Sequence, residues 1–456
     1  MKCRFNIISF FIGFVFFQVP LFAQDSTFAP KIEWTGMAAL VEGQFVKCTY
    51  VWTKTKGSVM PFSPWLSNEY LRLGIKAALN QHLSLAVIPE IRLWNDTYDW
   101  NRMIGSGIAD NPFNQHVSVS LADAEGTVSF GSNDALACNI SAGVIPYKYD
   151  KEAKNLGEYL FRSGEHPAYI QTSFDQAYAT LNGLRVNAVI QNNLSMDLLV
   201  TAETQIQPIN DISLSFLLGY KIPGYTDFGV GISFDRLWPA VKELDQVGIG
   251  PNIFKTSTGQ PDTLSWGGTK VMAHLSFDPK GFLSKEIAGI FGPEDGKIYG
   301  EAAILGVKNI AAYKDSVNPD TYESVPGHYV IDSSMNFYSD ITQRIPIMFG
   351  FNIPTLKILD YLSVELEWFG WPYSRNIFNV QGFKYFLPKA NGLSNASNWK
   401  YSINLKRTIW EHLSIIGQIA SDHTRHDVYF FGNIDVNEIF PNRDQWGWWL
   451  KLQYNF

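Results

Sequence analysis

The sequence predicts an all-β fold, a transmembrane antiparallel up-and-down β-barrel of about 18 strands, with 14 to 18 open where pairings are ambiguous. Three observations lead there. The chain ends on Trp446-Gly-Trp-Trp-Leu-Lys-Leu-Gln-Tyr-Asn-Phe456, a stretch of strict two-residue alternation. Trp446, Trp448, Leu450, Leu452, Tyr454 and Phe456 fall on one face, because successive strand side chains point to opposite sides. Gly447, Trp449, Lys451, Gln453 and Asn455 fall on the other. A strand edge of this kind invites pairing with another chain, unless a barrel closes it against the first strand. Second, 46% of the residues are hydrophobic and only 17% are charged, against about a quarter charged in ordinary soluble domains. Third, this apolar content comes without any internal apolar run long enough for a membrane helix. Alternating strands produce that combination, since every second residue faces lipid.

The elements follow in order. Lys2 and Arg4 precede the apolar run Phe5–Phe17, and Pro20-Leu-Phe-Ala23 follows it. A charged start, an apolar middle and a small residue at a cut site read as a secretory signal peptide, residues 1–23. The run is short of the ~20 residues of a spanning helix, and Cys3 has no small-residue lipobox around it. Residues 24–456 read as one barrel domain, with strands beginning by about Ile32 and no separate plug domain, internal repeat or linker. Leu71, Leu73, Ile75, Ala77 and Leu79 alternate with Arg72, Gly74, Lys76 and Ala78. After Asn80-Gln81-His82, Leu83 to Leu93 alternates again, which makes a hairpin. Ser118–Phe130 alternates least clearly. Further alternating runs begin at Met196, Ile212, Leu362 and Trp399 and end on the terminal strand. The 14 Trp, 21 Tyr and 32 Phe cluster near run ends, where a barrel carries interfacial girdles.

Phe456 with its alternating apolar row resembles the C-terminal signal of bacterial outer-membrane β-barrels, and the whole mature chain is similar in pattern to barrels of porin type. The resemblance implies residence in a Gram-negative outer membrane, contact with membrane lipid, and passive transport of small polar solutes. It also implies insertion by the barrel-assembly machinery, with Trp446, Trp448, Leu450, Leu452, Tyr454 and Phe456 as the assembly signal. It names no solute.

Short periplasmic turns and long outer loops are the rule in such barrels. With the last strand ending in the periplasm, Arg407–Glu411, Ile353–Tyr361, Asp278–Lys297 and Pro223–Asp227 fall inside. Asp422–Gln445, Trp371–Asn398, Val307–Gln343 and Leu237–Thr269 fall outside. Two segments stand apart. Asp278–Lys297 is long for a turn, and Phe282–Phe291 suggests a short amphipathic helix within it. Tyr147–Pro167 is long, charged and partly helical in pattern. It is expected either to fold into the barrel mouth as a constriction, with Lys148, Lys151, Glu152, Lys154, Glu158, Arg162 and Glu165 setting the local field, or to form a periplasmic loop.

Alternation also gives an inventory of inward, lumen-lining charges. The basic members are Arg72, Lys76, Arg92, Arg185, Lys221, Lys400, Lys406 and Lys451. The acidic members are Glu90, Asp197, Glu203, Asp235, Glu365 and Glu367. Both signs occur, so a polar, water-wet interior suited to small hydrophilic solutes follows, without strong ion selectivity. The net charge is −7, and losing Lys2 and Arg4 with the leader takes it to −9. That argues against nucleic acid, a partner that wants a basic face. Only Cys48 and Cys138 remain after the leader, read as two small buried thiols rather than a bridge.

No His-Glu-x-x-His, Gly-x-Ser-x-Gly or phosphate-binding glycine loop occurs, so no enzyme, cofactor or metal is expected. Glu365 and Glu367 have the look of a hydrolase carboxylate pair, but two acids at i and i+2 are also what a polar lumen wall provides. Asp422-His-Thr-Arg-His426-Asp427 lacks a distinctive ligand spacing and reads as a solvated loop. The function expected is a porin-like channel. The alternative is a structural or adhesive surface protein binding polysaccharide or protein through aromatic outer loops such as Trp371–Phe378 and Tyr429–Trp449.

Overall fold

The computed structural model describes residues 28–47, 65–96, 115–132, 135–162, 179–204, 210–238, 240, 253–256, 261–263, 268–307, 310–317, 324–331, 341–369, 399–424, 428–430, 433–435, 440 and 442–456. The leader, Cys48, Glu165 and Trp371–Phe378 lie outside the described residues. The first nine strands are β1 (Lys31–Lys47), β2 (Trp65–Ala78), β3 (Leu83–Asp96), β4 (Gln115–Ser132), β5 (Leu136–Tyr147), β6 (Ala179–Ile190), β7 (Leu194–Ala202), β8 (Ile212–Ile222) and β9 (Thr226–Trp238). Then come β10 (Ile253–Thr256), β11 (Pro261–Thr263), β12 (Gly268–Phe277), β13 (Ile298–Ile304), β14 (Ile310–Val317), β15 (Ser324–Ile331), β16 (Pro346–Asn352) and β17 (Tyr361–Phe369). The last are β18 (Trp399–Trp410), β19 (Leu413–Ser421), β20 (Val428–Phe430), β21 (Asn433–Asp435) and β22 (Trp446–Asn455).

Sixteen of these close into one antiparallel barrel, in the order β1 to β9, β12, β13, β16, β17, β18, β19, β22. The count of 16 falls within the expected 14 to 18. The connections after β9 and β13 carry short strands that pair with one another in a separate sheet, β11-β10-β14-β15, and β20 and β21 form a hairpin of their own. Their alternation is real, but it belongs to loops.

Closure is made by β22, which pairs with β1 on one side and β19 on the other. The backbone N–H of Gly36 donates to the Phe456 carbonyl (2.9 Å), and the Phe456 N–H donates back to Gly36 (3.1 Å). A Cβ at Gly36 would lie 2.4 Å from the Phe456 ring, so the glycine makes room for the terminal aromatic. Leu450, Leu452, Tyr454 and Phe456 are exposed on the outer face, while Trp449 is buried inside. Elsewhere the outer face is also apolar, with Leu71, Leu73, Val87, Ile91, Phe216, Leu218, Leu275, Ile347, Phe349 and Leu366 exposed. A closed ladder leaves no unpaired edge and turns a greasy surface outward, which is the arrangement a lipid solvent demands.

The ladder also accounts for the irregular stretch. The β3–β4 register shifts between Ile88 and Pro89, where Asp123 and Leu121 are the successive partners. One extra residue in β4 reverses its faces midway, so a single alternating pattern cannot run through Ser118–Phe130.

The connections at residues 79–82, 133–135, 191–193, 223–225, 278–297, 353–360 and 411–412 share one end with both barrel termini. The other connections share the other end and are longer than any of these but 278–297. β18 runs on to Trp410, so Glu411 and His412 alone form that turn, tighter than Arg407–Glu411. In the 278–297 connection the expected single helix is instead a 3-10 turn, Pro279–Phe282, and one helical turn, Lys285–Ala288. Cys138 carries a free, half-buried thiol on β5.

Removing Phe456 deletes two ladder hydrogen bonds and a ring that is only half covered. The expected loss is about 1–3 kcal/mol in urea unfolding of the refolded barrel, with the heat-modifiable gel shift retained. If the truncated chain refolds but fails to assemble in cells, the residue acts as a signal; loss of the gel shift would make it essential to closure itself.

Candidate functional site

The barrel interior is built from the inward face of each strand, and charge is concentrated there. On β2 and β3, Arg72 Nε donates to Glu90 (2.6 Å) and Arg92 Nη2 lies 2.9 Å from the same carboxylate. Arg72, Arg92 and Lys451 gather over the Tyr70 ring at 5.5, 5.1 and 5.1 Å. Lys76 stands opposite Glu33 in the β1–β2 register. On β6 and β7, Arg185 Nε donates to Asp197 (2.8 Å), and Tyr147 Oη donates to the same group (2.9 Å). Asp235 pairs with Lys270 at 2.8 Å, and Glu203 lies 3.7 Å from Arg236. Lys221 and Lys406 sit near the turn end, opposite Asp227 and Tyr361. Lys400 is buried and donates to the carbonyls of Asp422 and Phe440.

The segment after β5 decides the shape of this interior. β5 ends at Tyr147 at the loop end, so the segment is not a turn-end, periplasmic-type connection; the chain there turns inward. Within residues 148–162, Asp150, Ala153, Asn155, Leu156, Glu158, Tyr159, Leu160 and Arg162 are all buried. The apolar members pack on Leu199, Leu217, Met272, Tyr299, Ala303 and Met348, which point inward from the wall.

Wall carboxylates hold the segment in place. Glu365, fully buried, accepts the backbone N–H groups of Lys154, Asn155 (2.9 Å) and Leu156 (2.8 Å), and the Tyr299 hydroxyl (2.8 Å). Three successive amides around one anion form a concavity of the kind backbone dipoles favour. Glu301 accepts from the Tyr159 N–H (2.9 Å), and Glu367 accepts from the Tyr159 hydroxyl (2.8 Å) and meets His423 Nε2. Asn155 Nδ2 reaches Ser402 (3.1 Å) and Asp422 (2.6 Å). Below, Lys154 meets Glu294 (3.1 Å), and Lys297 meets Glu152 (2.9 Å) and Glu294 (2.6 Å). Gly157 has φ +87, and a Cβ there would lie 2.6 Å from Glu301 Oε2 and 2.9 Å from Met348 Cε. Only glycine allows so close an approach in this conformation.

Of the charges in this segment, Lys151 is exposed, Lys148, Glu152 and Lys154 are half-buried, and Glu158 and Arg162 are buried in the seam. The opposite wall stays wet. Glu125, Thr127, Asn139 and Arg185 on β4 to β6 are half-exposed, and Ser84, Ser118 and Ser120 are exposed. The interior is therefore two-sided, packed from β7 round to β19, with half-exposed polar side chains on β4 to β6 opposite. Sequence reasoning missed Tyr299, Glu301 and Met272. Their signal was present as alternation, Tyr299-Glu301-Ala303 against Ile298-Gly300-Ala302-Ile304, but in a strand of only seven residues.

Burial pushes the Glu158 carboxyl up to about 7; Lys148 opposes this, Asp150 adds to it, and Arg162 opposes it. Burial also disfavours the Glu294 anion, but Lys154 and Lys297 outweigh it and hold the group down at about 2.

No protein-family model matches the chain, and no curated protein matches it. Solved structures similar to it include two porin variants from Rhodopseudomonas blastica. A double mutant of that porin is 8% identical with a TM-score of 0.43, over 93% of this chain and 100% of that chain. A triple mutant is 7% identical with a TM-score of 0.43, over the same shares.

Gly157→Ala is expected to lift the segment off its wall without opening the barrel. A nitroxide at Lys151→Cys, in a Cys48→Ser, Cys138→Ser background, should become markedly more mobile while the gel shift persists. The pH sign follows from Glu158. A raised carboxyl contributes stability that is fully present below about 4.5 and is lost as pH rises through about 7. The groups facing it are Lys148, Asp150 and Arg162 on its own segment and Glu301 on β13. The same label should loosen between pH 5.5 and 8.5, and Glu158→Gln should abolish that response.

Proposed function

We propose that this protein is an outer-membrane, porin-type channel for passive diffusion of small hydrophilic solutes, exported by residues 1–23, inserted by the barrel-assembly machinery, and narrowed by residues 148–162. The two-sided interior carries this reading. A barrel meant only as a scaffold has no need of a wall of half-exposed Arg185, Glu125, Thr127 and Asn139 facing water. The opposite half is filled by a segment tied down through Glu365, Glu301 and Glu367. In this reading the passage runs along β2 to β7, past Arg72, Lys76, Arg185 and Asp197, with Glu90 and Arg92 buried in the wall behind Arg72. Paired charges of opposite sign leave a transverse field without a strong preference for cations or anions. Lys151 acts on passing ions directly, while Glu158 and Arg162 act by fixing where the segment lies. The second reading, adhesion through aromatic outer loops, rests on Trp371–Phe378 and Tyr429–Trp449, where no observation favours it.

Planar-bilayer recording tests the proposal. Wild-type protein should give discrete open steps. Replacing residues 148–162 with a short Gly-Ser linker should raise single-channel conductance by roughly twofold, as the filled half opens. Glu365→Ala, which leaves three amides without their acceptor, should give an intermediate or fluctuating conductance. A silent barrel in all three forms would overturn the channel reading. The orientation is checked in intact cells: cysteines at the exposed Arg443 or Asp444 and within 307–343 should react with an impermeant thiol reagent, and one at Glu411 should not.

A further inference from the structure

The 278–297 connection is much longer than the other turns at its end, and it is rigidly built yet buries none of its apolar residues. Asp278 N–H donates to the Tyr225 carbonyl (2.7 Å), and the Asp278 carboxylate caps the Lys280 N–H (3.0 Å). Ser284 caps the helical turn Lys285–Ala288 through the Ile287 N–H (3.4 Å). Asp295, almost fully buried, gathers the N–H groups of Gly292 (2.8 Å), Thr355 (3.1 Å) and Leu356 (2.9 Å) and the Thr355 hydroxyl (3.1 Å). Lys357 Nζ donates to the Gly289 carbonyl. These bonds join the 278–297 and 353–360 connections into one plate.

The plate shows its apolar side chains to the outside. Phe282 is 70% exposed and Ile358 72%, and Leu283, Ile287, Ile290 and Leu356 are exposed as well. Leu356 and Lys357 take positive φ, 53 and 69, a conformation disfavoured for residues with side chains. Backbone strain of this kind persists only where surrounding contacts impose it, here the Asp295 clamp. Phe282 also has a direction. Its ring packs edge-on to Tyr225 (5.0 Å) and against Phe277 (5.9 Å), and Phe277 faces out from the last position of β12. The plate thus continues the outward apolar wall of the barrel past its rim.

We propose that this plate is a lipid-binding foot, which lies in the headgroup–acyl boundary of the leaflet at the turn end and seats the barrel at a fixed height. The occupant is phospholipid, because the patch is continuous with the lipid-facing wall through Phe277 and Phe282. Lys285 and Lys357 stand on it where phosphate groups would lie, and aromatic and long basic side chains are the usual interfacial anchors. The foot rests on the membrane-barrel reading, and the test separates the two.

Nitroxide labels are placed singly at Phe282→Cys, Ile287→Cys and Ile290→Cys, with Leu275→Cys on the outer wall and Gln191→Cys on another turn as references, all in the Cys48→Ser, Cys138→Ser background. The barrel is reconstituted in phosphatidylethanolamine–phosphatidylglycerol vesicles. Collision with oxygen, which concentrates in lipid, is compared with collision with a water-soluble nickel chelate. The expected result is a severalfold higher oxygen-to-nickel ratio at 282, 287 and 290 than at 191, on the same side as 275. A water-like ratio at the three plate positions with a lipid-like ratio at 275 overturns the foot and spares the barrel. A water-like ratio at 275 as well overturns both. Shielding of the three labels from both reagents, with 275 lipid-like, assigns the plate to a protein partner or a second copy and overturns the lipid proposal. As a second measure, Ile287→Asp with Ile290→Asp should keep the gel shift but insert into the same vesicles severalfold more slowly; unchanged insertion counts against the foot.

Discussion

Everything in this molecule depends on the pairing of β22 with β1. A sheet of sixteen strands with two free edges would expose rows of unpaired amides and carbonyls at the depth where the outer face is most apolar, and no side-chain contact offsets that cost in hydrocarbon. Closure removes both rows at once. It also defines an inside, and only then does the alternation acquire its second meaning. Half of every strand is released from facing lipid and becomes free to carry charge.

The protein uses that freedom unevenly. Along β2 to β7 the inward charges pair within the wall, Arg72 with Glu90 and Arg185 with Asp197 across neighbouring strands and Arg92 with Glu90 along β3. Along β13 to β18 the acids Glu301, Glu365 and Glu367 lie opposite His274, Ser402 and Lys400, and Lys400 turns instead to the carbonyls of Asp422 and Phe440. The donors they do receive come mainly from backbone and hydroxyl groups of residues 154–159 and from Tyr299, with His423 beside Glu367. A wall of buried carboxylates is unstable alone. The inward-folded segment is thus a requirement of the wall as much as an addition to it, and Gly157 marks the point where the two backbones come closest.

Much of this was legible in the sequence. The terminal row Trp446 to Phe456, the hairpin of β2 and β3, and the inward position of Glu365 and Glu367 all follow from a period of two, which the ladder enforces residue by residue. The strand number was less legible, because a period of two marks a strand without naming its neighbour; pairing partner, not local pattern, decides membership. The seam was legible on one side only. The charges of residues 148–165 drew attention to the segment, but its role depends on Asn155, Gly157 and Tyr159 meeting acids far along the chain. Neither composition nor periodicity encodes such a meeting. The exposed plate at 278–297 gave an amphipathic signal that was real in residue type and too long in extent: within Phe282–Phe291 only Lys285–Ala288 is helical, started by the Ser284 cap and ended at Gly289.

The carboxylate of Glu365 and the amides it holds are separated by some 209 to 211 residues. That distance imposes an order of events. Residues 148–162 emerge and are flanked by paired strands long before β13, β17 and β18 exist to receive them. Until the second half of the barrel is laid down, Leu156, Tyr159 and Leu160 have only Leu199 and Leu217 of their wall to pack on. The anchoring of the segment on Glu365 is therefore a contact of long sequence separation, whose loop-closure cost is met only through strands that lie far along the chain.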